Sequence, residues 1–311
     1  MPSDHQKRKR IPVHGVMLLD KARDISSNDA LVAVKRLLNA EKAGHTGTLD
    51  PFATGLLPLC FGEATKFAQD LLDADKTYES ILHLGVTTTT ADSEGEILER
   101  QPVDIQREQI EALLPQFTGE QTQIPPMYSA LKRDGKPLYE YARAGITLER
   151  EARAITIHEL KILDYQTPFL RLHVCCSKGT YIRTLGEDIG RALGCGAHLS
   201  ELRRIAVANL QVSEAITYAA LSEEAENNRT SHLKPVDALI TNCPKIILNE
   251  QLATRFMHGQ RLALGKEGVA LPVEQGRVRV YSEGAQLLGT GQIKEFAVLA
   301  PERLVNLFPS L

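Results

Sequence analysis

The sequence predicts an α+β fold with a small β-barrel appended at its C-terminal end. Apolar runs with strand-like patterning occur at 13–19, 78–84, 155–163 and 169–176. Helical patterns stand among them, near 26–38 and 179–194. Beyond Cys243-Pro244 the texture changes to short stretches punctuated by Gly259, Gly265, Gly268, Gly276, Gly284, Gly289 and Gly291, the spacing of a small barrel. With 311 residues and 43% apolar content, the chain suits about two domains with a real core.

Residues 1–10 are polar and basic, and no apolar signal-peptide core follows them, so they are expected to be a disordered tail. The run at 13–19 ends in Asp20-Lys21 and reads as a buried strand. Ser26-Ser27-Asn28 supplies capping chemistry for a helix to about Leu38, with Leu31, Val34 and Leu38 on one face. In 169–176, Leu170, Leu172 and Val174 face one way while Arg171 and His173 face the other. Gly179-Thr180 opens a helix with Ile182, Leu185, Ile189 and Leu193 on one stripe, closed by Gly194. Arg183 falls off that stripe in the first turn, free to point into a site.

Between these elements, 118–153 looks like an excursion from the sheet. It contains the break Ile124-Pro125-Pro126, a short helical pattern near Tyr139, and mixed charge. Residues 222–231 read as an acidic surface loop, and 251–258 as a helix leading into the barrel. No segment has the roughly 18 uninterrupted apolar residues of a membrane span. The five cysteines are odd in number and show no disulfide framework, which points to a reduced, cytoplasmic protein. A net charge of −3 argues against a bulk electrostatic grip on nucleic acid, leaving only local basic clusters. These are 7–10, Lys132-Arg133 with Lys136, and Arg203-Arg204, each read as a solvated face.

The stretch 44–55, Gly-His-Thr-Gly-Thr-Leu-Asp-Pro-Phe-Ala-Thr-Gly, carries the sharpest signal. Its three glycines permit unusual backbone angles and close approach of a ligand. Pro51 biases Asp50 towards an extended or turn conformation. The loop therefore either presents one acid at a fixed angle or makes an ordinary Asp-Pro turn. A phosphate loop is excluded, because Gly55 is followed by Leu56-Leu57 instead of a Lys-Ser/Thr pair. A metal site lacks support: only His45 and Asp50 stand nearby, with no spaced His or Cys partners.

Continued by Leu59-Cys60-Phe61-Gly62-Glu63-Ala64-Thr65-Lys66, this stretch resembles the catalytic-aspartate motif of the TruB-type tRNA pseudouridine synthases. Residues 14–21, Lys76-Thr77-Tyr78 and 176–183 resemble further motifs of that family, in the same order, and 124–132 is similar to a segment that contacts RNA. The resemblance covers about 11–240 and continues more loosely into a PUA-like barrel. It implies a catalytic domain over 11–243 on a mixed, largely antiparallel sheet, a thumb-like insertion at about 118–153, and a PUA-like RNA-binding domain over 244–311. The implied reaction is isomerisation of uridine 55 in the T-loop of tRNA to pseudouridine, by a monomer without cofactor or metal.

By the same resemblance, Asp50 is the essential acid, Arg183 its charge partner, and Tyr78 the ring on which uracil stacks. His45 would meet the flipped-out region of the loop, with Tyr181 and Leu202 as polar and apolar walls. Lys21 and Lys66 are phosphate or structural contacts, and Lys132, Arg143 and Arg153 contacts to the RNA backbone. The residues agree with the chemistry: isomerisation needs no redox step or group donor, and the sequence has no cofactor motif. The role of Asp50 stays open between nucleophile, electrostatic partner and proton carrier. Thr48 and Phe52 depart from the residues common in that motif. Two rivals stand beside this reading: a tRNA-binding or RNA-folding factor with a non-catalytic main role, and a guide-RNA-dependent synthase subunit of the dyskerin type.

Overall fold

The computed structural model describes residues 9–307. Most of the predicted basic tail (residues 1–8) lies outside the described residues. Arg10, at its end, donates to the Ala40 carbonyl at 3.1 Å.

A ten-stranded sheet organises the larger part. Its main order is Ile216–Thr217, Gly15–Lys21, Thr54–Phe61, Ala197–Val207, Lys76–Leu84, Phe169–Cys176, Arg153–Gln166 and Gly119–Gln123. The short strands Ala43–His45 and Leu210–Gln211 attach at its side. Pairing is antiparallel except between Gly15–Lys21 and Ile216–Thr217, and where Thr54–Phe61 touches Ala197–Val207 over two residues. The sheet is thus mixed and largely antiparallel.

Period-two patterning explains the strands that the sequence revealed. In Phe169–Cys176, Leu170, Leu172, Val174 and Cys176 are buried while Arg171 and His173 stand on the other face. Lys76–Leu84 buries Tyr78, Ser80, Leu82 and Leu84 on one side. The helix Ser27–Leu37 starts where expected, with the Ser26 hydroxyl accepting from the Asp29 N–H at 3.0 Å. Ile182–Ala192 buries Ile182, Leu185 and Ile189 against the sheet, and Gly194 closes it at φ +81°.

Several strands were not anticipated, two of them long. Gly119–Gln123 corrects the reading of 118–153 as an excursion, because it pairs with Arg153–Gln166 at the edge of the sheet. Thr54–Phe61 contains Gly55 and Pro58, residue types that are uncommon inside strands. Pro58 pairs opposite Leu18, and its carbonyl accepts from the Thr46 N–H, so its missing N–H faces the loop instead of a full neighbouring strand. Ala197–Val207 is central, and it corrects the reading of Arg203-Arg204 as a solvated face. Arg204 is 1% exposed, and Arg203 forms a two-pronged ion pair with Asp20 at 2.7 and 3.0 Å. Residues 222–231 also prove more structured than a loop, since the helix Tyr218–Glu223 runs into them.

The C-terminal sheet has five strands in the order Lys245–Leu248, Gly276–Ser282, Leu287–Lys294, Val298–Leu304 and Leu262–Ala263. The helix Glu250–Met257, capped by Asn249, packs Leu252 and Phe256 into its core. Leu287 and Val305 of this unit join Val16, Leu18, Leu56 and Phe67 in a core shared with the large sheet. Ionic contacts frame the junction, including Arg279 to Asp237 at 2.8 Å and Arg277 to Asp70. The barrel-like unit is therefore fixed against the sheet by apolar burial as well as charge.

Candidate active site

Asp50 sits where the sheet opens. The loop after Ala43–His45 turns at Asp50-Pro51-Phe52-Ala53, with the Ala53 N–H donating to the Asp50 carbonyl at 3.1 Å. The turn and the candidate acid are the same feature. Phe52 and Ala53 are buried and anchor the loop in the main core, so the carboxylate projects from a fixed base.

The glycines have a structural reason that differs from ligand clearance. Gly55 has φ +99°, and a Cβ there would lie 2.3 Å from the Arg204 carbonyl oxygen. Gly47 has φ +76°, with Arg204 Nη1 3.3 Å from the position of a Cβ. They let the loop press against the Ala197–Val207 strand. Gly55→Ala is accordingly expected to cost about 2 kcal/mol or more in urea unfolding, from backbone strain plus collision. An unchanged unfolding midpoint would contradict that tight approach.

Arg183 comes from the first turn of Ile182–Ala192 and is 4% exposed. Its Nε lies 3.0 Å from Asp50 Oδ2 and 3.5 Å from Asp92 Oδ2. Nη1 donates to the Thr90 carbonyl at 3.2 Å and Nη2 to the Tyr128 carbonyl at 2.6 Å. A cation in the first helical turn opposes the helix dipole. The first turn has no acid of its own, and Asp50 and Asp92 supply the missing negative charge from elsewhere in the chain.

Burial pushes the Asp50 carboxyl above its ordinary value of 3.8, Arg183 opposes this, and Asp92 adds to the rise. The side chain keeps 37% exposure through the cleft mouth, while the walls around it are largely desolvating. Arg183 thus moderates, without cancelling, the cost of ionising the acid.

Asp92 was not singled out from sequence, where it looks like a polar turn residue in Thr-Ala-Asp-Ser-Glu-Gly. It is 4% exposed, and it follows Ala91 at φ +59°, a left-handed angle uncommon for alanine. The Leu199 N–H donates to the Ala91 carbonyl at 3.0 Å, which ties this turn to the central strand. Only an unusual backbone angle marks it, and sequence carries no sign of that.

Asp50, Tyr78, Tyr181, Arg183 and Leu202 line one cavity of about 390 Å³, with Ser129, Ala130 and Leu131 of the insertion on its rim. Burial raises the hydroxyl pKa of both Tyr78 and Tyr181, so each remains a neutral phenol near pH 7. At the root of the insertion, Gln123 fastens the Tyr181 backbone in both directions. Its Nε2 donates to the Tyr181 carbonyl at 3.1 Å, and the Tyr181 N–H donates to Oε1 at 2.8 Å.

The remaining candidates stand apart from this cavity. His45 lies on its short strand, with Nδ1 buried and without a hydrogen-bond partner, and burial lowers its pKa. Lys21 is 1% exposed and donates to the carbonyls of Ala22, Ile25 and Pro51, which pins the loop from beneath. Burial lowers its pKa to about 8. Lys66 bonds Glu63 at 2.6 Å and the Leu304 carbonyl at 2.8 Å, at the junction with the C-terminal sheet. Of the alternatives phosphate or structure, both lysines have structural partners. Lys132 is exposed on a small hairpin with Lys136, within the insertion.

A carboxylate held by a buried arginine, sharing one cleft with an aromatic ring, is the arrangement of an enzyme that stabilises positive charge developing on a planar substrate. The description "TruB family pseudouridylate synthase (N terminal domain)" matches residues 35–182, and two TruB C-terminal descriptions match 183–241 and 244–305. The chain belongs to the TruB family of pseudouridine synthases. It is 56% identical to tRNA pseudouridine synthase B of Ralstonia nicotianae over 98% of both chains. Identity to the protein of that name from Cupriavidus metallidurans is 57% over 96% of both. Among solved structures, a Cbf5-Nop10-Gar1 complex matches 94% of this chain and 84% of its own, with a TM-score of 0.71 and 26% identity.

Proposed function

We propose that the protein isomerises uridine 55 in the T-loop of tRNA, with Asp50 facing the sugar and Tyr78 under the base. One observation carries this: the Arg183-held carboxylate opens into the same cavity as Tyr78, Tyr181 and Leu202. The reaction breaks the N1–C1′ bond and forms a C5–C1′ bond; C5 loses a proton and N1 gains one. Atoms and electrons balance within the substrate. Positive charge that develops at C1′ meets the Asp50 carboxylate, in a cleft where water screens it poorly.

The uridine reaches this cavity only after leaving its stack, and Tyr78 and Leu202 then receive the ring. Lys132, Arg133, Lys136 and Arg143 lie on the insertion above, where they hold phosphates and set position without reading sequence. Lys136 stands 4.9 Å from the ring of Tyr141, and Arg143 5.3 Å from that of Tyr139, so the basic surface carries aromatic support. His45 contributes a contact at the edge of the flipped nucleotides. Residues 11–243 form the catalytic unit and 244–311 an RNA-binding one, in a cytoplasmic monomer that needs neither metal nor cofactor.

A guide-RNA-dependent subunit is the less favoured reading. The identity of 56–57% to proteins named tRNA pseudouridine synthase B exceeds the 25–26% found for proteins in H/ACA and Cbf5 complexes. Purified protein incubated with an unmodified tRNA transcript, without guide RNA or other proteins, separates the two. The expected result is one pseudouridine per tRNA, at position 55. No conversion without added guide RNA would overturn the proposal.

A further inference from the structure

Arg204 is among the largest fully buried side chains of the protein, at 1% exposure. Buried arginines are ordinarily paired with a carboxylate. Among the described residues, none forms an ion pair with Arg204. Its Nε donates to the Leu56 carbonyl at 2.8 Å and Nη2 to the Gly47 carbonyl at 3.0 Å. These two carbonyls bracket the Asp50 loop. Tyr78 lies directly opposite Arg204 across adjacent strands, which brings the guanidinium beside the phenol of the cavity, and the two groups act on each other electrostatically.

We propose that Arg204 is a positioning residue for pseudouridine formation, one that fixes the Tyr78 hydroxyl relative to the loop that presents Asp50. The guanidinium is planar and offers donors at fixed angles. A single rigid group therefore refers both the stacking ring and the acid loop to one frame. Lysine could not reach these acceptors together, because its donors radiate from one nitrogen. The two glycines flanking the loop serve the same contact: Gly47 leaves room for Nη1, and Gly55 for the Arg204 backbone. With no ion-pair partner among the described residues, the buried charge acts on the phenol of its cross-strand neighbour Tyr78. The inference rests on the reading of Tyr78 as part of the uridine pocket.

A purely structural brace would hold the loop without any dependence on the hydroxyl of residue 78. A double-mutant cycle separates the two roles, read as single-turnover rate on a T-arm stem-loop. Arg204→Lys is expected to slow product formation roughly tenfold or more while RNA affinity stays within about threefold. In a Tyr78→Phe background the same substitution is expected to change the rate by less than about threefold. Equal losses in both backgrounds would overturn the proposal and leave Arg204 as a brace.

If Arg204→Lys melts below the assay temperature, Arg204→Gln, which keeps an N–H donor, is read in the same cycle with the same outcomes. A Tyr78→Phe rate equal to wild type would also overturn the proposal, yet would leave the stacking role of the ring standing. Absence of product from the wild type would sink the proposed function itself, and the inference with it.

Discussion

Asp50→Asn is expected to bind a T-arm stem-loop almost as tightly as wild type and to make pseudouridine at least roughly 10³-fold more slowly. The amide keeps the shape of the carboxylate and removes its charge, so the loss falls on the step that builds positive charge at C1′. The variant should fold normally, because Arg183 retains Asp92 as a partner at 3.5 Å. The pH dependence of stability has a definite sign. The folded-state pKa of Asp50 is raised above 3.8, so its protonated form is favoured by folding. That contribution is fully present below pH 3.8 and is lost as pH rises through the raised value. At pH 7 the ionised acid adds nothing to stability, and the variant should melt at or above the wild-type temperature. Acidification should shift the comparison towards wild type. A variant with wild-type turnover would remove Asp50 from the chemistry.

Arg183→Met is expected to damage both fold and activity. It leaves Asp92 buried without its cation and removes the donor to the Thr90 and Tyr128 carbonyls. Breaking such a buried pair costs about 3–5 kcal/mol, measurable by denaturant unfolding. The milder Arg183→Lys keeps a charge, yet its ammonium cannot serve Asp50, Asp92 and two carbonyls together. Its acid limb of activity should move to higher pH. The sign follows from the site: Arg183 lowers the Asp50 pKa against burial, so weaker contact lets it rise further and the ionised fraction is lost earlier on acidification. A limb at the wild-type pH would show that Arg183 does not govern the charge on Asp50.

Legibility in the sequence followed the physics of each element. Phe169–Cys176 and Ile182–Ala192 each bury one face, and such one-sided burial writes a period into the chain. Thr54–Phe61 buries nearly every position, so it has no alternation to read, and Gly55 and Pro58 disguise it further. Ala197–Val207 carries charged residues that look solvated, yet Arg204 is buried and Arg203 is paired with Asp20. Family motifs pointed to Asp50, Tyr78 and Arg183 because each lies within a continuous stretch, and the fold brings the three to one cavity. Asp92 and the carbonyls of Thr90 and Tyr128 join the site through tertiary folding alone. The glycines illustrate a further limit: their presence was plain, but their purpose, contact with Arg204, needed the strand that was not anticipated.

A structure of the Asp50→Asn protein bound to a T-arm stem-loop tests the central claim most directly. The account predicts uridine 55 turned out of the loop, its base against Tyr78, with Leu202 as a wall and C1′ facing residue 50. A uridine still stacked within the T-loop would contradict it. So would a base lodged in the neighbouring cavity of about 620 Å³ lined by Thr88, Thr122 and Arg150.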